Sequence, residues 1–186
     1  MVVEADLVIV VEKDAIFKRL MEEQVLNHEI FSRTIFITGK GMPDIATRQL
    51  VSLLSNSLPV LVLTDCDPYG LEIFFTYKFG SLASTWSQEP LAAPFSLWLG
   101  VHPTDLADLG VPDSSLKPHS VADKKRILDF DRRQYVQADP QLREDLELMW
   151  RMGGKAEIEQ ISEERERGFL VNNYLAGKIA ELEHLG

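Results

Sequence analysis

Three short apolar runs, separated by helical patterns, occupy the first 80 residues. They lie at residues 7–11, 34–38 and 60–64 and consist of apolar and β-branched residues throughout. Runs of this length and composition are typical of strands that are buried on both faces of a sheet. The sequence therefore predicts three buried strands in this part of the chain.

Helical patterns fill the intervals between these strands. Apolar spacing predicts a helix over residues 15–25, and Pro43 and Pro68 predict helices that begin there, the second ending near Lys78. Strands that alternate with helices in this way predict an α/β fold, with a parallel sheet, right-handed crossovers and helices on both faces.

The regular alternation of apolar runs and helical patterns ends near residue 80. We expect one further strand near residues 95–99, then helices at 121–130, 142–151 and 156–185, the last of them broken near Gly168. This pattern predicts an α/β domain over residues 6–138. A helical C-terminal extension over residues 139–186 would pack on the sheet or on a dimer partner.

Composition narrows the function classes. The 186 residues include 19 basic and 29 acidic side chains, for a net charge of −10, and a single cysteine, Cys66, excludes an internal disulfide. Neither a membrane-spanning run nor a secretory signal is present in the sequence. An acidic chain argues against nucleic acid as a partner. However, residues 139–186 carry half of the acidic excess, so the remainder of the chain is less unfavourable to DNA.

Acidic side chains follow two of the predicted strands. Glu12 comes directly after the first strand, and Asp65 and Asp67 come after the third. Ligands of open parallel sheets bind outside the carboxyl ends of the strands, and clustered carboxylates repel one another unless a cation neutralises them. This arrangement predicts a Mg²⁺ site. The alternative is that Asp65 and Asp67 only form a turn and cap the following helix.

Four motifs in order resemble one known family. They are VVEKDA at 10–15, ITGKG at 37–41, DCDPYG at 65–70 and TYKFGS at 76–81. Together with KAEI at 155–158, they resemble the Toprim domain of the A subunit of topoisomerase VI and of its meiotic homologue. The motif sequences are more similar to those of the eukaryotic meiotic branch. The resemblance runs from about residue 6 to the C-terminus and implies a Rossmann-like Toprim sheet.

The resemblance implies a chemistry and a set of partners. Members of this family make DNA double-strand breaks by tyrosine transesterification, as type IIB topoisomerase-like enzymes, and the meiotic branch thereby initiates recombination. By resemblance, Glu12, Asp65 and Asp67 would hold Mg²⁺, for which Mn²⁺ could substitute. The expected partners are double-stranded DNA, a second copy bound through the Toprim region and a topoisomerase VI B-like ATPase subunit. The expected location is the nucleus.

The same resemblance places the tyrosine nucleophile in a domain that precedes Toprim. We therefore expect no catalytic nucleophile within these 186 residues, and no DNA cleavage by this chain alone.

Three cations are candidate DNA contacts. Lys13 would either contact phosphate or pair with one of the acids beside it. Lys40 lies in a Gly-Lys-Gly turn that allows close approach to a phosphate. Arg48 would assist it or pair with Asp44 at i,i+4 spacing. A second basic cluster, at 124–126 and 132–133, is interpreted as a solvated helix face.

Two other functions remain open at this stage. A hydrolytic Toprim nuclease or primase-type enzyme would use the same acids without a covalent intermediate. A non-catalytic dimerisation and partner-docking module would need neither metal nor DNA.

Overall fold

The computed structural model of this chain describes residues 4–80, 91–163 and 165–184. Its centre is a parallel four-stranded sheet in the order β2-β1-β3-β4. The strands are β1 (Leu7–Val11), β2 (Thr34–Thr38), β3 (Val60–Leu63) and β4 (Leu97–Gly100). The predicted α/β sheet is confirmed, and its strands lie within two residues of the predicted positions.

The two central strands end in register, and this alignment positions the candidate site. Val11 of β1 pairs with Leu63 of β3 and, on its other side, with Thr38 of β2. The next residue, Glu12, continues the ladder, because its N–H donates to the Leu63 carbonyl at 2.9 Å. The residues that follow β1 and β3 therefore emerge at the same edge of the sheet.

Helices follow the strands as the pattern predicts, with shifted ends. They are α1 (Asp14–Glu22), α2 (Ile45–Leu54) and α3 (Pro68–Phe79). Helix α2 begins two residues after Pro43 because Asp44 is its N-cap, accepting the Thr47 N–H at 2.7 Å. Helix α3 begins at Pro68 as predicted, with Asp67 as its N-cap.

The second half of the chain adds further helices and a small ladder. The helices are α4 (Pro103–Asp108), α5 (Val121–Asp131), α6 (Gln134–Gln137), α7 (Pro140–Met152) and α8 (Ala176–His184), and a π-helical segment, Leu170–Leu175, leads into α8. Two short strands, β5 (Lys117–Pro118) and β6 (Gly154–Lys155), pair antiparallel. Helix α7 and the segments after it contribute side chains to the same hydrophobic core as the sheet. The proposed boundary between residues 138 and 139 stays a prediction.

The predicted helix from residue 156 is wrong over its first part. Ala156 exchanges both backbone hydrogen bonds with Cys66, at 2.9 and 3.1 Å, and a 3₁₀ helix, Ile158–Ser162, follows. A backbone that pairs with another part of the chain cannot also make the hydrogen bonds of an α-helix. Gly168, where a break in that helix is expected, has a positive φ of 88° and lies just before the π-helical segment, so it precedes the helical stretch and does not interrupt one. Among the described residues, no helix is both long and apolar enough to span a bilayer.

Candidate metal centre

Glu12 lies at the carboxyl edge of the sheet with only 7% of its surface exposed. Its backbone is fixed by the β1–β3 ladder. Its side chain reaches across to the neighbouring strand, where Oε2 accepts the Asp65 N–H at 2.9 Å. The first predicted ligand is therefore held against the loop that carries the other two.

Asp65 follows β3 and is also buried, at 6% exposure. Its Oδ1 accepts the Ile158 N–H at 2.9 Å, and its Oδ2 lies 2.9 Å from the ammonium of Lys13. Both carboxylate oxygens are therefore engaged, one by backbone from the C-terminal part of the chain and one by a cation from the end of β1.

Asp67 is less buried and caps α3, with Oδ1 accepting the Gly70 N–H at 2.6 Å. The capping alternative for this residue is therefore confirmed as a contact. It uses one oxygen. Within the described parts of the chain, Oδ2 makes no hydrogen bond or ion pair, so capping leaves one carboxylate oxygen available to a metal ion.

The electrostatics of this edge favour a cation. Burial, assisted by the charges of Asp65 and Asp67, raises the pKa of Glu12 to about 7. Burial also raises the pKa of Asp65, although the Ile158 N–H and Lys13 act in the opposite direction. Negative charge is therefore costly here, and a divalent cation would relieve that cost.

Carboxylate oxygens are the donors that Mg²⁺ prefers, so the chemistry of the set fits. The arrangement is not a closed chelate. Over residues 4–80, 91–163 and 165–184, no three His, Cys, Asp or Glu side chains stand close enough together to hold one ion. In this arrangement Asp67 directs one oxygen to the start of α3, and one oxygen of Asp65 is paired with Lys13.

Lys13 realises the second of its two predicted roles, pairing with acid. Besides Asp65, its Nζ lies 2.9 Å from Glu159 Oε2 and 3.3 Å from Glu157 Oε2. Burial alone would lower the pKa of Lys13, but its bonds to Asp65 and Glu159 outweigh burial and raise it. Lys13 is therefore a charged ammonium shared among three carboxylates.

Lys40 occupies the exposed turn that the sequence predicts. It has a positive φ of 55°, and its side chain is 71% exposed, with Nζ 3.9 Å from Asp14. We call the sheet edge that carries Glu12, Asp65 and Asp67 the acidic edge. The turn is bonded to it, because the N–H of Gly41 donates to the carbonyl of Glu12 at 2.9 Å. The turn thus places an exposed cation in the segment that is hydrogen-bonded to Glu12.

Arg48 is in a different environment. It is 6% exposed, and its Nη2 lies 3.4 Å from the Leu91 carbonyl. Within the described residues no ion pair joins Arg48 to Asp44, whose carboxylate caps α2 instead. Its contact with DNA stays a prediction.

The second basic cluster contains both cations that contact neighbouring side chains and cations that are exposed to solvent. Arg126 pairs with Glu72 at 2.8 Å, and the guanidinium of Arg133 lies 4.5 Å from the Phe130 ring centre. Lys124 and Lys125 are exposed. These contacts agree with the interpretation of a helix face.

Residues 154–159 contact the acidic loop, which is the segment after β3 that carries Asp65 and Asp67. These contacts were not predicted from the sequence. Ile158 supplies the N–H to Asp65, and Glu157 and Glu159 hold Lys13. Lys117 also pairs with Glu157. The KAEI motif was the available signal, but spacing alone could not place it beside residues some 90 positions earlier.

Comparison with known proteins agrees with this geometry. Residues 7–179 match the family model TOP6A-Spo11 Toprim, which describes the Toprim domain of Spo11 and of the A subunit of topoisomerase 6. The human meiotic recombination protein SPO11 is 39% identical over 95% of this chain and 43% of its own length. SPO11-1 of Arabidopsis thaliana is 41% identical over 94% of this chain and 48% of its own length.

The A subunit of DNA topoisomerase 6 from Arabidopsis thaliana is 36% identical over 86% of this chain and 37% of its own length. The chain thus spans less than half the length of each of these three relatives. Toprim domains bind divalent metal, which is the chemistry that the acidic edge suits. From the matched family model and the identity to its members, the chain belongs to the Toprim-domain family of Spo11 and the topoisomerase VI A subunit.

Proposed function

We propose that Glu12, Asp65 and Asp67 bind Mg²⁺ and that the chain is the metal-binding part of a protein that breaks both DNA strands by tyrosine transesterification. The observation that carries the proposal is that Glu12 and Asp65 are buried at one sheet edge and joined by the Asp65 N–H, with Asp67 two residues further on, and that burial and the charges of neighbouring acids raise the pKa of Glu12 and Asp65. The meiotic relatives favour a role in initiating recombination.

The chain's own residues would bind and orient the substrate. Glu12 and Asp65 are fixed by strand ends, and Asp67 by the start of α3, so the ligands sit on rigid elements. Bound Mg²⁺ supplies positive charge for phosphate oxygens. Lys40 lies on the exposed turn beside this edge and would contact the DNA backbone, with Lys13 and Arg48 as the further proposed DNA contacts.

The nucleophile is proposed to come from another domain. Tyr77 and Tyr174 are buried, and burial raises the pKa of both phenols; Tyr174 also donates to Asp105 at 2.6 Å. Tyr135 stacks on Phe79, with ring centres 3.9 Å apart. Tyr69 is partly exposed in the first turn of α3, 5.9 Å from Arg126. The contacts of Tyr77, Tyr135 and Tyr174 suit packing roles.

We further propose three features of the whole protein: a second copy bound through the Toprim region, a topoisomerase VI B-like ATPase partner, and action on double-stranded DNA in the nucleus. The meiotic relatives support the last of these.

The test uses the full-length protein that contains this chain, with a linear DNA duplex and Mg²⁺. Protein covalently joined to 5′ ends is expected, and Asp65→Asn should abolish it. Metal-dependent cleavage that leaves free 5′ phosphates and no adduct would instead support a hydrolytic nuclease. Folded, dimeric protein that neither binds DNA nor responds to Mg²⁺ would support the docking module.

A further inference from the structure

One ammonium group lies among three carboxylates at the acidic edge. Lys13 Nζ is 2.9 Å from Asp65 Oδ2, 2.9 Å from Glu159 Oε2 and 3.3 Å from Glu157 Oε2. Only 25% of the Lys13 side chain is exposed, and only 8% of that of Asp65, so the contact between them is shielded from water. Shielding makes an ion pair stronger than it is on an open surface.

The three acids differ in their surroundings. Asp65 is buried at the sheet edge beside Glu12, whereas Glu157 and Glu159 are about 40% exposed on the segment after β6. The two glutamates already contact the ammonium at the rim of the site, so they can hold it there, out of bulk water, when its contact with Asp65 is broken.

We propose that Lys13 is a built-in counterion that competes with the divalent ion for Asp65, and that Glu157 and Glu159 hold its ammonium when the metal takes its place. This inference rests on the proposed metal site. It gives the buried carboxylate of Asp65 a charge partner, and it makes Lys13 a positioning residue that sets metal affinity.

Removing the competitor should tighten metal binding. Lys13→Met is expected to lower the dissociation constant for Mg²⁺ or Mn²⁺ about tenfold, as measured by isothermal titration of the folded chain. Lys18→Met is the matched control, because Lys18 is an exposed cation whose ammonium pairs with Asp14 and not with a proposed metal ligand. It should change the constant by about twofold or less.

A double-mutant cycle separates the competition between Lys13 and the metal from the direct effect of the Glu159 charge on metal binding. Glu159→Gln removes one of the two carboxylates that hold the ammonium at the rim, so it should weaken metal binding about fivefold in the wild-type background and about twofold or less in the Lys13→Met background. Glu159→Gln alters a half-exposed residue and gives an independent result if Lys13→Met does not fold.

The outcomes are distinct. Equal affinities of wild type and Lys13→Met would overturn the inference, as would equal effects of Glu159→Gln in both backgrounds. If Asp65→Asn abolishes binding while Lys13→Met leaves it unchanged, the metal site stands and the counterion role fails. If wild type binds no metal, the proposed function itself fails.

Discussion

Ionisation of the buried Glu12 carboxylate is unfavourable in the folded protein. Its carboxylate is 7% exposed and has Asp65 and Asp67 as charged neighbours, so its pKa rises from 4.5 to about 7. The folded protein therefore holds this proton more tightly than the unfolded chain does. The resulting penalty is absent below about pH 4.5 and complete above about pH 7.

Glu12→Gln should remove this penalty in metal-free protein. Glutamine keeps an oxygen to accept the Asp65 N–H but carries no charge. In EDTA, the variant should be more stable than wild type by up to about 3 kcal/mol at pH 8, with little difference at pH 4.5. Urea unfolding at the two pH values measures this. Glu29→Gln, at an exposed position, is the control, and a pH-independent difference would contradict the assignment.

Gly70 is a residue on which the geometry of the acidic loop depends. It lies in the first turn of α3, where an added Cβ would sit 2.4 Å from the Asp65 carbonyl oxygen and 2.9 Å from Thr64 Oγ1. Gly70→Ala should therefore cost at least about 2 kcal/mol of the free energy of unfolding.

Gly177→Ala is the matched control, because no described neighbour lies within 4 Å of the Cβ that alanine would add in α8. It should be neutral or stabilising by up to about 1 kcal/mol. Similar losses in both variants, measured by urea unfolding, would show that the close approach at Gly70 is not decisive.

At the scale of elements, the C-terminal segments are fixed by polar contacts as well as by packing. Asp105, 5% exposed, accepts the His102 N–H at 2.8 Å and the Tyr174 hydroxyl at 2.6 Å, and pairs with Lys178 of α8. This buried carboxylate therefore joins α4 to the π-helical segment and to α8.

Lys178→Met should break this junction. It leaves the Asp105 charge buried with neutral donors only, which should cost about 3 kcal/mol. Lys18→Met is the control, since Lys18 pairs with Asp14 at the surface and its loss should leave the unfolding midpoint unchanged. Chemical denaturation of the two variants tests this, and equal midpoints would contradict the role of Lys178.

At the scale of the whole molecule, most of the sheet could be predicted from sequence. Strands such as Thr34–Thr38 are fixed by local apolar runs, so their positions were correct. The helix predicted from residue 156 was wrong over its first part, because Ala156 and Ile158 form their hydrogen bonds with Cys66 and Asp65. Local spacing carries no information about such distant partners.

The site was predicted in the same uneven way. The sequence indicated that Glu12, Asp65 and Asp67 share one edge, since parallel strands end together, but not that Lys13 lies between Asp65 and the glutamates of residues 157 and 159. It also left Arg48 as a surface cation, whereas the helix turns it inward to 6% exposure. Side-chain partners of this kind depend on tertiary packing.

The most direct test of the metal site is isothermal titration of Mg²⁺ into the chain and into an Asp65→Asn/Asp67→Ser variant. Serine retains the N-cap of α3, so the variant removes carboxylate charge with little effect on the helix. Asp44→Ser, the same change at the N-cap of α2, is the control. We predict binding by wild type and Asp44→Ser and none by the double variant; equal binding by all three would contradict the site.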